Sequence, residues 1–275
     1  MGGQHHARPP LSPLVTLTTH RTRHCLPDNN RPAVPRTMAE GPSRSFSQVK
    51  EMVAAAHRAS SATEKLRFYE QWAKDYDADV HVLEYRAPFL AAEMLASLVP
   101  VGERASATVL DVACGTGLVA EQLQRLRFGR IRGIDGSSEM LAVAATKGVY
   151  ESTRRCVLGD GPLPLESDAF DAVIIVGALS DGQVPHAILP ELVRVAKPGA
   201  PLCLTTRSSA ENAEFLLQLE GRMRELSSAG AWRLVRRQEV ARWERAIADD
   251  AGEAFEGTAP PSYIPGVVYL YRKLD

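Results

Sequence analysis

The chain has 275 residues and a formal net charge of −1, with 45% hydrophobic and 24% charged residues. That length and balance fit one α/β domain with appended segments and argue against a protein built around nucleic-acid phosphates. No run reaches the roughly 18 apolar residues of a membrane-spanning helix. The four cysteines, Cys25, Cys114, Cys156 and Cys203, have no Cys-x-x-Cys spacing, so they read as reduced intracellular thiols and no metal site is expected.

Residues 1–37 are rich in Arg, Pro, Thr and His, with Asp28 as their only acid. They carry no apolar period, which predicts a disordered extension over 1–44. An Arg-rich, acid-poor start has the composition of a mitochondrial signal, but Pro9, Pro10, Pro13, Pro27, Pro32 and Pro35 would break the amphipathic helix such a signal needs. Cytoplasm or nucleus is the expected location, with mitochondrial targeting by residues 1–37 as the alternative and Met38 as an alternative start. One folded domain is expected over 45–275, with N-terminal helices over 45–100 and a core over 107–275.

In that domain Val49, Met52, Val53 and Ala56 predict a helix over 46–59. Thr63 as cap and Glu64 in the first turn predict another over 63–75. A third starts near Pro88 and runs to Leu98. From residue 107 strands alternate with helices. Strands are expected at Thr108–Val112, Ile131–Ile134, Cys156–Leu158, Phe170–Val176 and Leu202–Thr205. The first helix between them turns Val119, Leu123 and Leu126 to one face. The next is capped by Ser137 or Ser138 and stopped by Gly148, and a third begins at Pro190. Continuous apolar runs suit strands buried on both faces, and successive βαβ units give an open, doubly wound α/β sheet. A helix near 210–228 then leads to two strand-like segments, Trp232–Gln238 and Val267–Tyr271. Having no crossover helix between them, these must pair antiparallel. The acidic loop between them, near 246–264, is expected to be mobile.

The chemistry concentrates in three loops after strands. In Asp111-Val112-Ala113-Cys114-Gly115-Thr116-Gly117 the glycines permit close ligand approach, and the helix that follows offers free N–H groups to an anion. Asp111 adds a fixed acceptor, so the loop suits a zwitterion such as the methionine part of S-adenosylmethionine. The run Gly115-x-Gly117-x-x-Ala120 fits a nicotinamide dinucleotide as well. Asp135, ending the second strand, can accept from ribose hydroxyls in either cofactor. Gly159-Asp160-Gly161 and the closing hairpin discriminate. A carboxylate at 160 can accept from an adenine amino group while the Gly161 N–H donates to a ring nitrogen.

Four runs in order carry a resemblance covering about residues 70–275. They are Val-Leu-Asp-Val-Ala-Cys-Gly-Thr-Gly-Leu-Val-Ala, Gly-Ile-Asp-Gly-Ser-Ser-Glu-Met-Leu, Phe-Asp-Ala-Val-Ile-Ile-Val-Gly-Ala-Leu and Leu-Val-Arg-Val-Ala-Lys-Pro-Gly. The series resembles the motifs of Rossmann-type S-adenosylmethionine-dependent methyltransferases. The resemblance implies a mostly parallel seven-stranded sheet with an antiparallel last strand and N-terminal lid helices. It implies cofactor contacts at Asp111, Gly115, Gly117, Asp135, Gly136, Met140, Asp160, Gly161 and Val176. Ala113 stands where many relatives have glycine, a residue expected to take an ordinary backbone conformation while crowding the ligand. Trp-Ala-Lys-Asp-Tyr-Asp is similar to the segment that closes over the cofactor in this family, which adds Tyr76 as a contact and leaves Trp72 structural.

Each of these residues also has a plainer reading. Asp111 could cap a helix, Gly-Asp-Gly is a good turn sequence, and Met140 could fill a core gap. Tyr69, Trp72 and Tyr76 could be a core stripe. His57, His81 and His186 are isolated. Arg233, Arg236, Arg237, Arg242 and Arg245 read as a solvated edge. The run Val176-Gly177-Ala178-Leu179-Ser180 is not an Asn/Asp-Pro-Pro-Tyr/Phe loop, no Pro-Cys nucleophile is present, and no basic cluster is interleaved with aromatics. The expected activity is methyl transfer to a small molecule or protein side chain, with no identifiable general base and neither nucleic acid nor membrane as partner. Alternatives are a cofactor-binding protein acting through a partner and, remotely, a nicotinamide-dependent oxidoreductase.

Overall fold

The computed structural model describes residues 1–2, 44–58, 62–159, 161–246 and 262–275, excluding the side chains of 54–58 and Ala62. The chain divides into Met1–Gly41 and Pro42–Asp275, and all that follows concerns the second unit. The expected disordered extension, the acidic loop and Asp160 lie outside the described residues, apart from a few flanking positions.

Four helices come first: α1 (Phe46–Arg58), α2 (Ala62–Trp72), α3 (Tyr76–Val82) and α4 (Ala87–Ala96). The core follows as β1 (Thr108–Val112), α5 (Leu118–Arg125), β2 (Arg130–Asp135), α6 (Ser138–Thr146), β3 (Ser152–Arg155), β4 (Ala172–Ile175), α7 (Leu189–Val195), β5 (Pro201–Arg207), α8 (Ala213–Ser228), β6 (Trp232–Arg245) and β7 (Tyr263–Lys273). The seven strands form one sheet in the order β3-β2-β1-β4-β5-β7-β6. β1 to β5 run parallel, and β7 inserts antiparallel between β5 and β6.

Alternate residues of the strands feed two apolar layers, because successive side chains point to opposite faces. Leu110, Val112, Val173, Ile175, Leu202 and Leu204 pack with Leu189, Leu192, Phe215, Leu219 and Met223 on one face. Val109, Ala172, Ile174, Cys203, Val268 and Leu270 pack with Ala91, Leu95, Val119 and Leu123 on the other. A third cluster, of Val49, Val53, Trp72 and Leu83, ties the first helices together.

Three expectations need correction. The third strand is Ser152–Arg155, not Cys156–Leu158. It is a mostly exposed sheet edge, so its polar residues carry none of the apolar signal used to find strands. The helix expected over 63–75 starts at Ala62 and ends at Trp72, with Thr63 inside it and a new helix at Tyr76. Asp79, seven residues after Trp72, explains the break. Its buried carboxylate accepts the Trp72 indole N–H at 2.6 Å and pairs with Arg44, and the short α3 carries it back to that ring. Both strands of the closing hairpin are longer than expected, and β6 carries register shifts at Leu234/Arg236 and Val240/Glu244.

Candidate functional site

A cleft of about 390 Å³ opens where β1, β2 and β4 end. Tyr76, Ala113, Gly115, Asp135, Gly136, Met140 and Val176 all line it. Its other walls include Lys65, Leu66 and Tyr69 from α2, Val157 and Leu158 after β3, and Gly177, Gln183 and Val184 after β4. Carboxyl ends of parallel strands are where open α/β sheets bind ligands.

Asp135 organises the floor. Its two carboxylate oxygens accept from the backbone N–H groups of Gly115 and Ser137, each at 2.8 Å. Burial pushes its carboxyl above the usual range, opposed by the backbone N–H groups of Ser137, Gly115 and Gly136. The hydroxyl of Ser137 caps α6 by accepting from Met140 N–H at 3.2 Å, which sets Met140 beside the cleft. Gly115 has φ +52, and a β-carbon there would meet nothing within 4 Å. The backbone is thus open toward whatever fills the cleft.

Asp111, Gly117 and Gly161 do not line the cleft. Asp111 lies beneath the loop, 1% exposed. One of its oxygens accepts from the Tyr150 hydroxyl at 2.7 Å, and the other, Oδ1, is buried without a partner. Burial raises its pKa to about 7, against the lowering effect of the Tyr150 hydrogen bond and with a smaller push from Asp135. Gly117 is the left-handed residue that opens α5. Ala113 departs from expectation. Its φ is +55, a left-handed conformation that strains any residue with a β-carbon.

Two groups escape sequence reasoning. Tyr150, between α6 and β3, carried no motif. Asp77 accepts from the Thr116 hydroxyl at 2.5 Å and pairs with Lys147 at 2.5 Å. Through it α3 is tied to the glycine loop and to the end of α6. Only the sequence position of Asp77, beside Tyr76 in the family-like Trp-Ala-Lys-Asp-Tyr-Asp run, could have pointed to it. The run Tyr69, Trp72 and Tyr76 crosses the break between α2 and α3. Tyr69 and Tyr76 reach the cleft, while Trp72 is 4% exposed in the helical cluster. Among the described residues no group of three or more His, Cys, Asp or Glu is placed to hold a metal ion.

A doubly wound sheet closed by an antiparallel β7, with a glycine loop and an acid-floored cleft at the strand ends, defines a Rossmann-like methyltransferase. Comparison with known proteins agrees. Residues 110–204 match the family described as methyltransferase domain. Methyltransferase-like protein 27 of Homo sapiens is 48% identical over 195 residues, which span 71% of this chain and 79% of that protein. The chain belongs to the S-adenosylmethionine-dependent methyltransferase family. It is also similar to demethylmenaquinone methyltransferase of Bacillus licheniformis, 32% identical over 50% of this chain and 60% of that protein. The ubiquinone biosynthesis O-methyltransferase of Xanthomonas oryzae pv. oryzae is 33% identical over 42% of this chain and 49% of its own length. A chain from the complex between the Haloferax volcanii Trm112 methyltransferase activator and a methyltransferase shares the fold, with a TM-score of 0.54 and 20% identity over 75% of this chain and 98% of that one. The family and its fold support binding of S-adenosylmethionine and its product S-adenosylhomocysteine.

Proposed function

We propose that the cleft holds S-adenosylmethionine and that a small molecule or protein side chain accepts its methyl group. The observation that carries this reading is Asp135 in the cleft wall beside the open backbone of Gly115. Asp135 would hold the ribose hydroxyls, since each of its oxygens has lone-pair capacity beyond one backbone bond. Gly136 and Met140 would wall the adenine. Asp111, with its unpartnered Oδ1, would balance the methionine ammonium, and the loop from Ala113 to Gly117 at the start of α5 would receive the carboxylate. Tyr76 and Val176 would flank the reacting end.

The cofactor supplies a methyl group on a sulfonium, which is already an activated leaving group. The chain's own task is to orient the acceptor in line and keep water out. Tyr69 and Tyr76 do the second from the helical side. A base is required only where the acceptor arrives protonated.

Calorimetry with S-adenosylmethionine, S-adenosylhomocysteine and NAD tests the reading. The first two should bind, and Asp135→Ala should weaken them by ~1.5–3 kcal/mol through lost charged hydrogen bonds. Tight NAD binding with no S-adenosylmethionine signal would overturn it. Labelled-methyl transfer into a cell extract tests turnover, and lasting absence of labelled product would favour a binding protein that acts through a partner.

A further inference from the structure

Beside the cofactor cleft lies a smaller chamber of about 40 Å³ that shares Tyr69, Tyr76, Gly177 and Gln183 with it. Five aromatic side chains wall it: Tyr69, Trp72, Tyr76, Tyr85 and Trp243. Tyr69 and Trp72 stack at 5.9 Å and 25°, while Trp72 and Tyr76 meet edge to face at 4.9 Å. Among the described residues the charged ones that line it are Arg207 and Glu244, paired at 2.8 Å. We propose that this chamber takes the hydroxyl of a neutral, planar ring and that this hydroxyl oxygen is the methyl acceptor: as the new O–C bond forms the sulfonium C–S bond breaks, S-adenosylhomocysteine leaves, and the hydroxyl proton passes to the Glu244 carboxylate. The proposal rests on the methyl-donor reading above.

Position supports it first. Gly177 follows Val176 at the end of β4 and borders both spaces. Its φ is +71, and a β-carbon there would collide with the Tyr85 hydroxyl. That glycine lets Tyr85 stand at the seam between donor cleft and chamber.

The wall chemistry selects the class. Flat aromatic faces favour a flat ring. Arg207 and Glu244 balance each other, so among the described lining residues no further charge offsets a substrate that carries net charge into this buried site. Five rings around a carboxylate could suit an ammonium ion, but the guanidinium 2.8 Å from that carboxylate opposes a second cation. A hydroxyl matches the pair because it donates to a carboxylate and accepts from a guanidinium. The Gln183 amide, donating to the Tyr69 hydroxyl at 3.2 Å, adds a polar group at the mouth.

Enclosure excludes a folded protein as acceptor. Val53 of α1, Trp72 of α2, Tyr76 and Val80 of α3, and Leu83 cover the chamber. A space of about 40 Å³ admits one functional group, the hydroxyl at the seam with the cleft, and the rest of the ring stays in the mouth.

The test uses the full chain saturated with S-adenosylhomocysteine. Phenol, catechol and 3-hydroxypyridine are titrated against benzylamine, benzoate and cyclohexanol, and tryptophan fluorescence reports on Trp72 and Trp243. Labelled-methyl transfer from S-adenosylmethionine is then measured to the same compounds and to folded proteins of an extract. At least one hydroxylated ring should bind about tenfold more tightly than all three controls, the effect of one buried hydrogen bond, and should take up label. The paired substitution Arg207→Gln with Glu244→Gln keeps a polar amide at both positions and leaves no lone buried charge. It should abolish that preference while S-adenosylhomocysteine affinity stays within about twofold. Tyr85→Phe serves the same end if the paired variant fails to fold. Preference for benzylamine or benzoate, equal binding of all six, or label entering only folded proteins would overturn the inference. Failure to bind S-adenosylhomocysteine would instead overturn the donor reading.

Discussion

Asp111 is the residue whose chemistry changes most with its surroundings. Burial lifts its pKa to about 7, so the ligand-free protein holds it protonated in mildly acidic solution. A raised carboxyl stabilises the fold fully below its ordinary pKa, and that contribution is lost as pH rises through about 7. An ammonium beside Asp111 needs the ionised form, so binding should run the other way. S-adenosylmethionine affinity should rise up to about tenfold per unit between pH 5.5 and 7 and then level. Calorimetry across that range checks it, and Asp111→Asn should flatten the profile. A flat profile in the unsubstituted protein would remove Asp111 from the site. Ala113 makes a separate prediction. Its left-handed φ of +55 costs about 1–2 kcal/mol, part of which glycine gives back in chain entropy. Ala113→Gly should therefore raise stability by about 0.5–1 kcal/mol in urea unfolding, without weakening cofactor binding. The sequence showed the missing glycine, but the backbone angle depends on how the loop leaves β1.

At the scale of elements, α3 matters more than its seven residues suggest. Asp77 in its first turn ties it to Thr116 and Lys147, while Tyr76 reaches the cleft. Lys147 keeps a second partner in Glu121 at 3.2 Å, and Asp77 is partly exposed. Asp77→Asn should therefore cost under about 1 kcal/mol of stability. It should nonetheless speed S-adenosylhomocysteine release several-fold by loosening the helix over the cleft. Stopped-flow dissociation and thermal unfolding separate the two effects, and a fall in melting temperature with an unchanged release rate would refute the role. Buried elements were legible because β1, β4 and β5 sit between two apolar layers and read as unbroken apolar runs. β3 was misplaced because an exposed edge strand leaves no such run. The α2–α3 break was hidden because a helical aromatic spacing continues across it, and only the distant Arg44 and Asp79 reveal why the chain turns.

Across the whole molecule, the cleft joins α2, α3, α6, β2 and the segments after β1, β3 and β4. A ligand that bridges them should stabilise the native state alone. S-adenosylhomocysteine at 100 times its Kd should add about 2.7 kcal/mol, a rise in Tm of roughly 5–10 °C for a domain of this size. Scanning calorimetry checks it, and no shift at saturation would contradict a site spanning these elements. The sequence by itself determined the alternation of strands and helices, the antiparallel closing hairpin, and the loops at Asp111–Gly117 and Asp135. Those features depend on local periodicity and on residue types whose chemistry is intrinsic. Only the tertiary structure decided that Tyr150 holds Asp111, that Asp77 joins α3 to the glycine loop, and that Arg207 meets Glu244 among aromatic rings. These partners lie 39 residues apart in the first two cases and on separate strands in the third. Contacts between segments so distant in the chain follow from the packing of whole elements, which no local pattern encodes.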